Sequence, residues 1–408
     1  MITVRHITRD ELPAVARVKA VAFNGSFREN TTVDQLAATG TTTRRLPEGG
    51  GIFAAYTEEG KMVSTMECIP YELRVNGNSA KASGIGGVAT LPEYRNLGAV
   101  REMFREALAE MWEKGEVFSL LNPFSRAYYR KFGYEDIGSI RRWRIPLAAI
   151  AKYDAGGTVR ELVGADNVAP LVEIDRKMLE NFDFSVDRRA KDYASDRRAN
   201  PLESNFRTYV WSDDAGRDRA YITFSRREDS GEQVLWACGT MANNGVGFTD
   251  ATALRAILSF LRTFASQFKS VIFPLAENMS LLGILPETTE VRQTVRFAAS
   301  LRIVDIEKAM MLLKPRSAGT LTLGISDSMC PWNAGCWRIE FDDEKVLSCK
   351  LCTETPDAEL PISALMPLYA GARGGDELDW LDGVRVYNPA APFAALFYRK
   401  SIFLVESF

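Results

Sequence analysis

The 408-residue chain contains a single histidine, His6, close to its N-terminus. Catalytic triads built on histidine and histidine-rich metal sites are therefore excluded, unless His6 itself reaches the functional site. Proton transfer in this protein must then depend on carboxylates, tyrosines, lysines or water.

Cysteine is also scarce. Six cysteines, at positions 68, 238, 330, 336, 349 and 352, are too few for a disulfide scaffold in a chain of this length. Cys349 and Cys352 have C-x-x-C spacing, but the residues before them have the pattern of a strand and lack the strand-to-helix context of a redox motif. A zinc site made from Cys330, Cys336 and the C-x-x-C pair is conceivable. We favour buried, reduced thiols and expect no metal.

The chain has no strong charge excess and no long apolar run. Its formal net charge is −3, which gives no sign of a nucleic-acid surface. No apolar stretch approaches the length of a membrane span, and the N-terminus lacks the apolar core of a signal peptide. We therefore expect a cytoplasmic protein of two or three domains that binds neither nucleic acid nor membrane.

What the sequence does contain is a short basic turn between a strand and a helix. Residues 83–90 have the composition of a buried strand, and apolar side chains within residues 100–112 recur with the 3.6-residue period of a helix. The turn between them carries Arg95, Gly98 and Arg101. The first turn of a helix has unpaired backbone N–H groups and partial positive charge, so this segment is a candidate phosphate site. Glycine permits close approach of the backbone, and arginine adds charge-assisted hydrogen bonds.

Two other phosphate motifs do not match this segment. A P-loop requires G-x-x-x-x-G-K-[ST], and no lysine followed by serine or threonine has that spacing here. A dinucleotide fingerprint requires glycines that open the helix, whereas Gly84, Gly86 and Gly87 lie within the strand. An ordinary strand-turn-helix with two solvated arginines remains the alternative.

The segment Arg95-x-x-Gly98-x-Val100 resembles the acyl-CoA-binding motif [RQ]-x-x-G-x-[GA] of the GNAT acetyltransferase superfamily, with valine at the last, usually small, position. The aromatic block of residues 128–135, YYRKFGYE, resembles a second element of that superfamily, which lies beside the pantetheine arm of the cofactor and precedes the last strands. Helices, antiparallel strands, basic turn, long helix, strand and aromatic block follow one another in the GNAT order.

The rest of the chain divides into two further units. Residues 149–300 repeat the order of strands, long helix and strand, but the turn 244–250 that enters the helix has no arginine and ends in Asp250, which would compete with a phosphate. From residue 301 onward, short strands and one helix resemble the sterol-carrier-protein fold. We predict an α+β (mixed α/β) fold with tandem GNAT folds in residues 1–148 and 149–300, the second degenerate, and a sterol-carrier-protein-like α+β domain in residues 301–408.

Two GNAT-like units followed by a sterol-carrier-like unit and an aromatic last residue resemble the enhanced intracellular survival (Eis) acetyltransferase family. The resemblance implies an acetyl-CoA-dependent N-acetyltransferase that uses no metal and assembles as a homo-hexamer. It also implies direct transfer to amino groups of small polyamines, aminoglycoside-like or lysine-like substrates. Three alternatives stay open: a non-catalytic acyl-CoA-binding or sensor protein, a tandem-GNAT aminoacyl or peptidyl transferase, and a lipid carrier.

The resemblance further implies roles for particular residues. Tyr129 would donate a proton to the departing thiolate, with Tyr128 as its local competitor, and the free carboxylate of Phe408 would accept a proton. Phe23, Phe27 and Glu406 could bind a cationic amine. The residues that would hold the cofactor are Val88, Ala89 and Thr90 along the pantetheine arm, Arg95, Asn96, Leu97, Gly98, Ala99, Val100 and Arg101 at the pyrophosphate, and Phe124 and Ser125 beside it.

Overall fold

The structure, a computed structural model, describes residues 2–28, 32–35, 51–164, 167–188, 193, 200–238, 245–297 and 299–406. Phe408, the predicted proton acceptor, and Asn244 of the second turn lie outside the described residues. Within these ranges, no helix has the length and apolar composition needed to cross a bilayer. The helices are α1 (Leu12–Ala22), α2 (Ala99–Glu113), α3 (Arg126–Arg130), α4 (Ala169–Leu179), α5 (Ala251–Leu261), α6 (Ile306–Met310), α7 (Ile362–Ala370) and α8 (Phe393–Leu396).

The first sheet is built mainly from the N-terminal part of the chain. Strands β1 to β4 pair in antiparallel fashion, and β4 then pairs with β5 in parallel, with α2 as the crossover helix between them. The sheet order is β1-β2-β3-β4-β5-β16-β6. Its strands are β1 (Thr3–His6), β2 (Gly51–Tyr56), β3 (Met62–Val75), β4 (Asn78–Thr90), β5 (Phe118–Leu121), β6 (Glu135–Asp136) and β16 (Ser300–Ile303).

The second sheet also combines antiparallel strands with one parallel pair that a helix connects. Its order is β15-β7-β14-β12-β11-β10-β8, with β13 paired to β11. Strands β12 and β14 are parallel, and α5 lies between them in the chain, as α2 lies between β4 and β5. The strands are β7 (Ser139–Pro146), β8 (Thr158–Glu161), β10 (Phe206–Ser212), β11 (Asp218–Asp229), β12 (Glu232–Trp236), β13 (Val246–Phe248), β14 (Ser270–Ala276) and β15 (Arg292–Phe297).

The two sheets exchange strands. Strand β7 follows the first sheet's β6 in the chain but pairs with β14 and β15 of the second sheet. Strand β16 follows the second sheet's β15 but returns to pair with β5 and β6 of the first. Each sheet is thus completed by a strand from the neighbouring stretch of chain. The division at residues 148 and 300 remains a prediction about domains.

A third sheet, in the order β19-β18-β17-β20-β21, packs against α7 near the C-terminus. Its core is continuous with that of the first sheet, because the rings of Phe118 and Tyr369 lie 5.5 Å apart in one apolar cluster. The last strand, β22 (Ile402–Phe403), returns to the first sheet through β9 (Phe184–Asp187), which pairs with β3. The remaining strands are β17 (Gly319–Ser326), β18 (Gly335–Phe341), β19 (Val346–Cys352), β20 (Ala358–Pro361) and β21 (Arg385–Val386). The predicted α+β class is confirmed.

Helix α2 buries the face that its periodicity predicts. Met103, Phe104, Leu108 and Met111 are almost completely buried against the first sheet. Trp112, which belongs to the same periodic pattern, is 43% exposed because it lies at the rim of this face, where it stacks on Trp332.

The spacing of Thr8 and Glu11 predicts a capping box at the start of the first helical region, and the structure contains it. The Glu11 carboxylate accepts hydrogen bonds from Arg5 at 2.8 Å, from the Thr8 backbone N–H at 2.8 Å and from the Tyr56 hydroxyl at 2.9 Å. Chiefly through the Arg5 hydrogen bond, the pKa of Glu11 falls from its usual 4.5 to about 2.

This shift predicts how stability depends on pH. Because the pKa of Glu11 is lower in the folded state, its stabilisation is complete above pH 4.5 and is lost as the pH falls toward 2. We expect Glu11→Gln to lower the free energy of unfolding by roughly 1 kcal/mol or less at neutral pH, since the group is partly solvated, and to have no effect near the lower limit. Urea titrations at both pH values would measure this. Equal losses at both would show that the charge is not the cause.

The described cysteines are all free thiols. In the described part of the chain, no group of three or more histidine, cysteine or acidic side chains is arranged to hold a metal. Burial raises the pKa of Cys330 to about 11 and that of Cys349 to about 12, so both thiols stay protonated at neutral pH. Cys336 and Cys352 face each other across β18 and β19 with their sulfurs 3.4 Å apart.

Candidate active site

The turn before α2 leaves a row of backbone N–H groups without partners. Asn96 and Gly98 have φ angles of 66° and 84°, so the chain makes a left-handed turn that glycine adopts without strain. Among the described residues, the N–H groups of 96–101 donate no hydrogen bond, and Glu102, bonded to the Gly98 carbonyl, is the first of the helix that does. Arg95 and Arg101 are exposed beside them. The turn is therefore an open site for an anion.

The corresponding helix of the second sheet, α5, has an N-terminus that is capped by a side chain. The Asp250 carboxylate accepts hydrogen bonds from the N–H groups of Thr252 and Ala253 at 2.9 Å and 3.0 Å. A capping carboxylate takes both the donors and the place that an anion would use.

Strand β4 extends beyond its parallel neighbour. The two strands pair up to Ile85 and Leu121, where β5 ends, whereas β4 continues to Thr90. From Gly86 onward, the β4 edge that faced β5 has no strand partner among the described residues, and the predicted pantetheine residues 88–90 lie on it. A change of register against β3 and a φ of 55° at Gly87 mark a bulge at the same point.

Tyr129 lies on α3, next to this opening. Ser125 caps the helix by accepting a hydrogen bond from the Tyr128 N–H at 3.3 Å. The Tyr129 ring is 5% exposed and packs in the same cluster as Ile85 and Leu121. Its hydroxyl makes no hydrogen bond to any described residue. Burial raises the pKa of Tyr129 to about 12, so the phenol is protonated throughout the physiological range.

The neighbouring aromatic side chains are placed differently. Tyr134 is fully buried, and its hydroxyl shares a hydrogen bond of 2.6 Å with Ser119. Tyr128 is half-buried, and burial raises its pKa. Phe124 is 78% exposed, and its ring centre lies 5.4 Å from that of Tyr129.

The end of the chain returns to the end of β5. The Asn122 side chain, directly after β5, donates a hydrogen bond to the Glu406 backbone carbonyl at 3.3 Å. The Glu406 carboxylate is buried and forms an ion pair with Arg188, which also binds Asp175 at 3.0 Å. The Glu406 carboxylate therefore already has a cationic partner within the protein, which it shares with Asp175. Tyr221 completes the network by donating to Asp175.

The other residues predicted to contact the acceptor follow α1. Phe23 is 60% exposed and Phe27 is half-buried. The same helix carries Lys19, whose ammonium forms an ion pair with Glu67 on β3, beside the Gly87 bulge. Sequence reasoning missed this pair. The available signal was a single charged residue, Glu67, within the otherwise uncharged segment 62–69 of a strand.

Comparison with known proteins identifies domain families and structures that this chain resembles. Residues 3–137 match the acetyltransferase (GNAT) domain family, and residues 306–403 match the sterol carrier protein domain family. An uncharacterised N-acetyltransferase of Streptomyces coelicolor is 22% identical over 340 residues, which is 80% of each chain. A GCN5-related N-acetyltransferase from Anabaena variabilis has the same fold, with a TM-score of 0.85 and 19% identity over the whole of both chains. Eis1 from Mycobacterium abscessus also covers both chains completely, with a TM-score of 0.76 and 19% identity.

The chain is therefore a GNAT-type acetyltransferase whose C-terminal part is a sterol carrier protein domain. The matches to both domain families and the fold shared with Eis1 agree with the domain order that the resemblance to the Eis family predicts.

Proposed function

We propose that this protein is an acetyl-CoA-dependent N-acetyltransferase that acts on amino groups of small polyamines, aminoglycoside-like or lysine-like substrates by direct transfer. One observation carries the proposal. At one end of the first sheet lie the N–H groups of residues 96–101, the exposed edge of β4 and the Tyr129 hydroxyl, none of which has a hydrogen-bond partner in the described part of the chain. The diphosphate of the cofactor needs N–H donors, the amides of its pantetheine arm need a free strand edge, and the leaving thiolate needs a hydroxyl that can donate to it.

The residues at the turn fit the cofactor. Unpaired N–H groups at the start of α2, the helix dipole and the exposed Arg95 and Arg101 would hold the diphosphate. An added Cβ at Gly98 would meet no atom of the described residues within 4 Å, so the surroundings of the turn at this residue are open. The open edge at residues 88–90 would accept the amides of the pantetheine arm. When bound, acetyl-CoA supplies the thioester whose acetyl group is transferred.

Tyr129 is the proposed donor to the departing thiolate. Complete transfer of a proton from a phenol of pKa about 12 to a thiolate near ~8.5 is uphill by about 5 kcal/mol. The Tyr129 hydroxyl therefore acts first as a hydrogen-bond donor that stabilises negative charge on sulfur. The proposed role of the Phe408 carboxylate as a proton acceptor is supported by the resemblance to the Eis family. A carboxylate near ~3.5 is a weak base for an ammonium near ~10, so the amine must lose its proton through water.

The oligomeric state, the cellular location and the domain boundaries are also part of this proposal. From the resemblance we propose a homo-hexamer in the cytoplasm and a division into units at residues 1–148, 149–300 and 301–408. The proposed cofactor site lies within the first unit, and the capped start of α5 is the reason to assign no cofactor to the second.

Thiol release from acetyl-CoA in the presence of a panel of polyamines, aminoglycosides and lysine derivatives tests the activity. Release that depends on the amine, with the acetylated product identified by mass spectrometry, supports the proposal. Measurable acetyl-CoA binding with no release across the panel would instead favour a non-catalytic sensor protein.

The anion site makes a separate prediction. Leu97 is 59% exposed within the turn, so Leu97→Glu would place a negative charge beside the unpaired N–H groups without disturbing the core. We expect acetyl-CoA to bind roughly tenfold more weakly, because like charges repel in the first turn of the helix. Leu202→Glu, at a site 91% exposed in another part of the chain, is the matched control. Equal affinities in both variants, measured by calorimetry, would place the diphosphate elsewhere.

A further inference from the structure

An ion pair of opposite charges lies beside the bulge of β4. The Lys19 side chain reaches from α1 to the Glu67 carboxylate on β3, and the two side chains are only 18% and 5% exposed. A Cβ added at Gly87 would lie 2.7 Å from the Lys19 ammonium nitrogen, so this nitrogen packs directly on the backbone of the bulge. Surface ion pairs on helices, such as that of Lys177 with Glu173, leave both side chains half exposed.

The direction of the proposed cofactor would bring its reacting end to the Lys19–Glu67 pair. This step rests on the proposed function. A diphosphate at residues 96–101 and a pantetheine arm along residues 90–88 run toward the start of β4. The next backbone along that path is Gly87, where β5 has already ended. The reacting end of the cofactor would therefore face the Lys19–Glu67 pair.

The two members of the pair differ in their freedom to move. Glu67 is held within a central strand and is almost completely buried, so its carboxylate needs a cation close to it. Lys19 is a long, flexible side chain with part of its surface in solvent, and it can swing outward by rotation of its own bonds. A second ammonium could replace it with little change in charge balance. A neutral ligand would leave the buried carboxylate unpaired, which is strongly unfavourable.

We propose that Glu67 is the binding point for the ammonium group of the acceptor, and that Lys19 occupies this point until an acceptor displaces it. The space that the Lys19 side chain fills would then accept a ligand of the same shape, which is an unbranched alkyl chain that ends in a primary ammonium. Acceptors with a free terminal amine on such a chain are favoured over neutral compounds and over amines on branched carbons. Lys19 is thus a competitor built into the acceptor site.

Kinetics with cadaverine as the acceptor test the proposal. Lys19→Met removes the competing ammonium, and we expect the KM for cadaverine to fall roughly tenfold with no change in acetyl-CoA affinity. Glu67→Gln removes the binding charge, and the same KM should rise roughly tenfold or more. Lys177→Met removes a lysine from an exposed ion pair on a helix and should change neither quantity. Equal KM values in the wild type and both variants would overturn the proposal.

A measurement on the wild-type protein does not depend on how the variants fold. Reductive methylation labels lysines according to their accessibility, and peptide mass spectrometry gives the ratio of Lys19 to Lys177 labelling within one sample. We expect cadaverine well above its KM to raise this ratio several-fold, because Lys19 is displaced into solvent. An unchanged or lower ratio would contradict displacement. If the wild type neither binds acetyl-CoA nor releases thiol, the proposed function itself fails, whereas normal turnover with an unchanged ratio rejects only this subsite.

Discussion

Tyr129→Phe is expected to lower kcat roughly 100-fold or more while the affinity for acetyl-CoA stays unchanged. The substitution removes a hydroxyl that has no hydrogen-bond partner among the described residues and keeps a ring that packs against Phe124, Tyr128 and Phe104. The loss should therefore fall on the stabilisation of the leaving thiolate and spare the fold. Thiol-release kinetics with calorimetry for acetyl-CoA would separate the two quantities.

Tyr128→Phe is the matched control, because it removes a second phenol from the same short helix. We expect less than about a threefold change in kcat for this variant. If Tyr128→Phe proves to be the damaging substitution, the proton donor has been assigned to the wrong tyrosine. The pH dependence provides a further check. A phenol with a pKa of about 12 stays protonated at all physiological pH values, so a loss of activity at low pH must come from another group.

Arg302→Met is expected to destabilise the protein by about 3–5 kcal/mol, the typical cost of leaving a buried charge without its partner. Arg302 and Asp327 are both completely buried, and their ion pair, at 2.7 Å, joins strand β16 to the C-terminal sterol carrier domain. Arg302 also donates a hydrogen bond to the Phe132 carbonyl in the aromatic block. A urea titration of the wild type and the variant would measure the difference.

The double variant Arg302→Met/Asp327→Leu tests whether the unpaired Asp327 carboxylate causes that loss of stability. It replaces both charges by apolar groups, so a substantial part of the lost stability should return. Lys177→Met, at a solvated helix position, is expected to change stability by less than about 0.5 kcal/mol. If the double variant is no more stable than Arg302→Met, an unpaired carboxylate is not the main cause of the loss.

The pattern of the aromatic block was visible in the sequence, but the reason for its glycine was not. Gly133 has a φ of 82°, and an added Cβ would collide with the Arg302 guanidinium. Arg302 lies 170 positions after Phe132, whose carbonyl it binds. No local periodicity could connect these residues, because only the return of β16 to the first sheet brings them together.

The sequence alone determined the features that depend on neighbouring residues. The basic turn, the amphipathic face of α2, the capping box at Thr8 and the order of strands and helices follow from local dihedral preferences and from the spacing of apolar side chains. For the same reason the sequence distinguished the open helix start at Gly98 from the one that Asp250 caps.

Only the tertiary structure decided the contacts between distant segments. The exchange of β7 and β16, the pairing of Glu406 with Arg188 and the burial of Lys19 against Glu67 join residues far apart in the chain. A charged residue has the same sequence signature whether it is solvated or paired in the interior. Its role is determined by the free energy of burying charge, which depends on every segment packed around it.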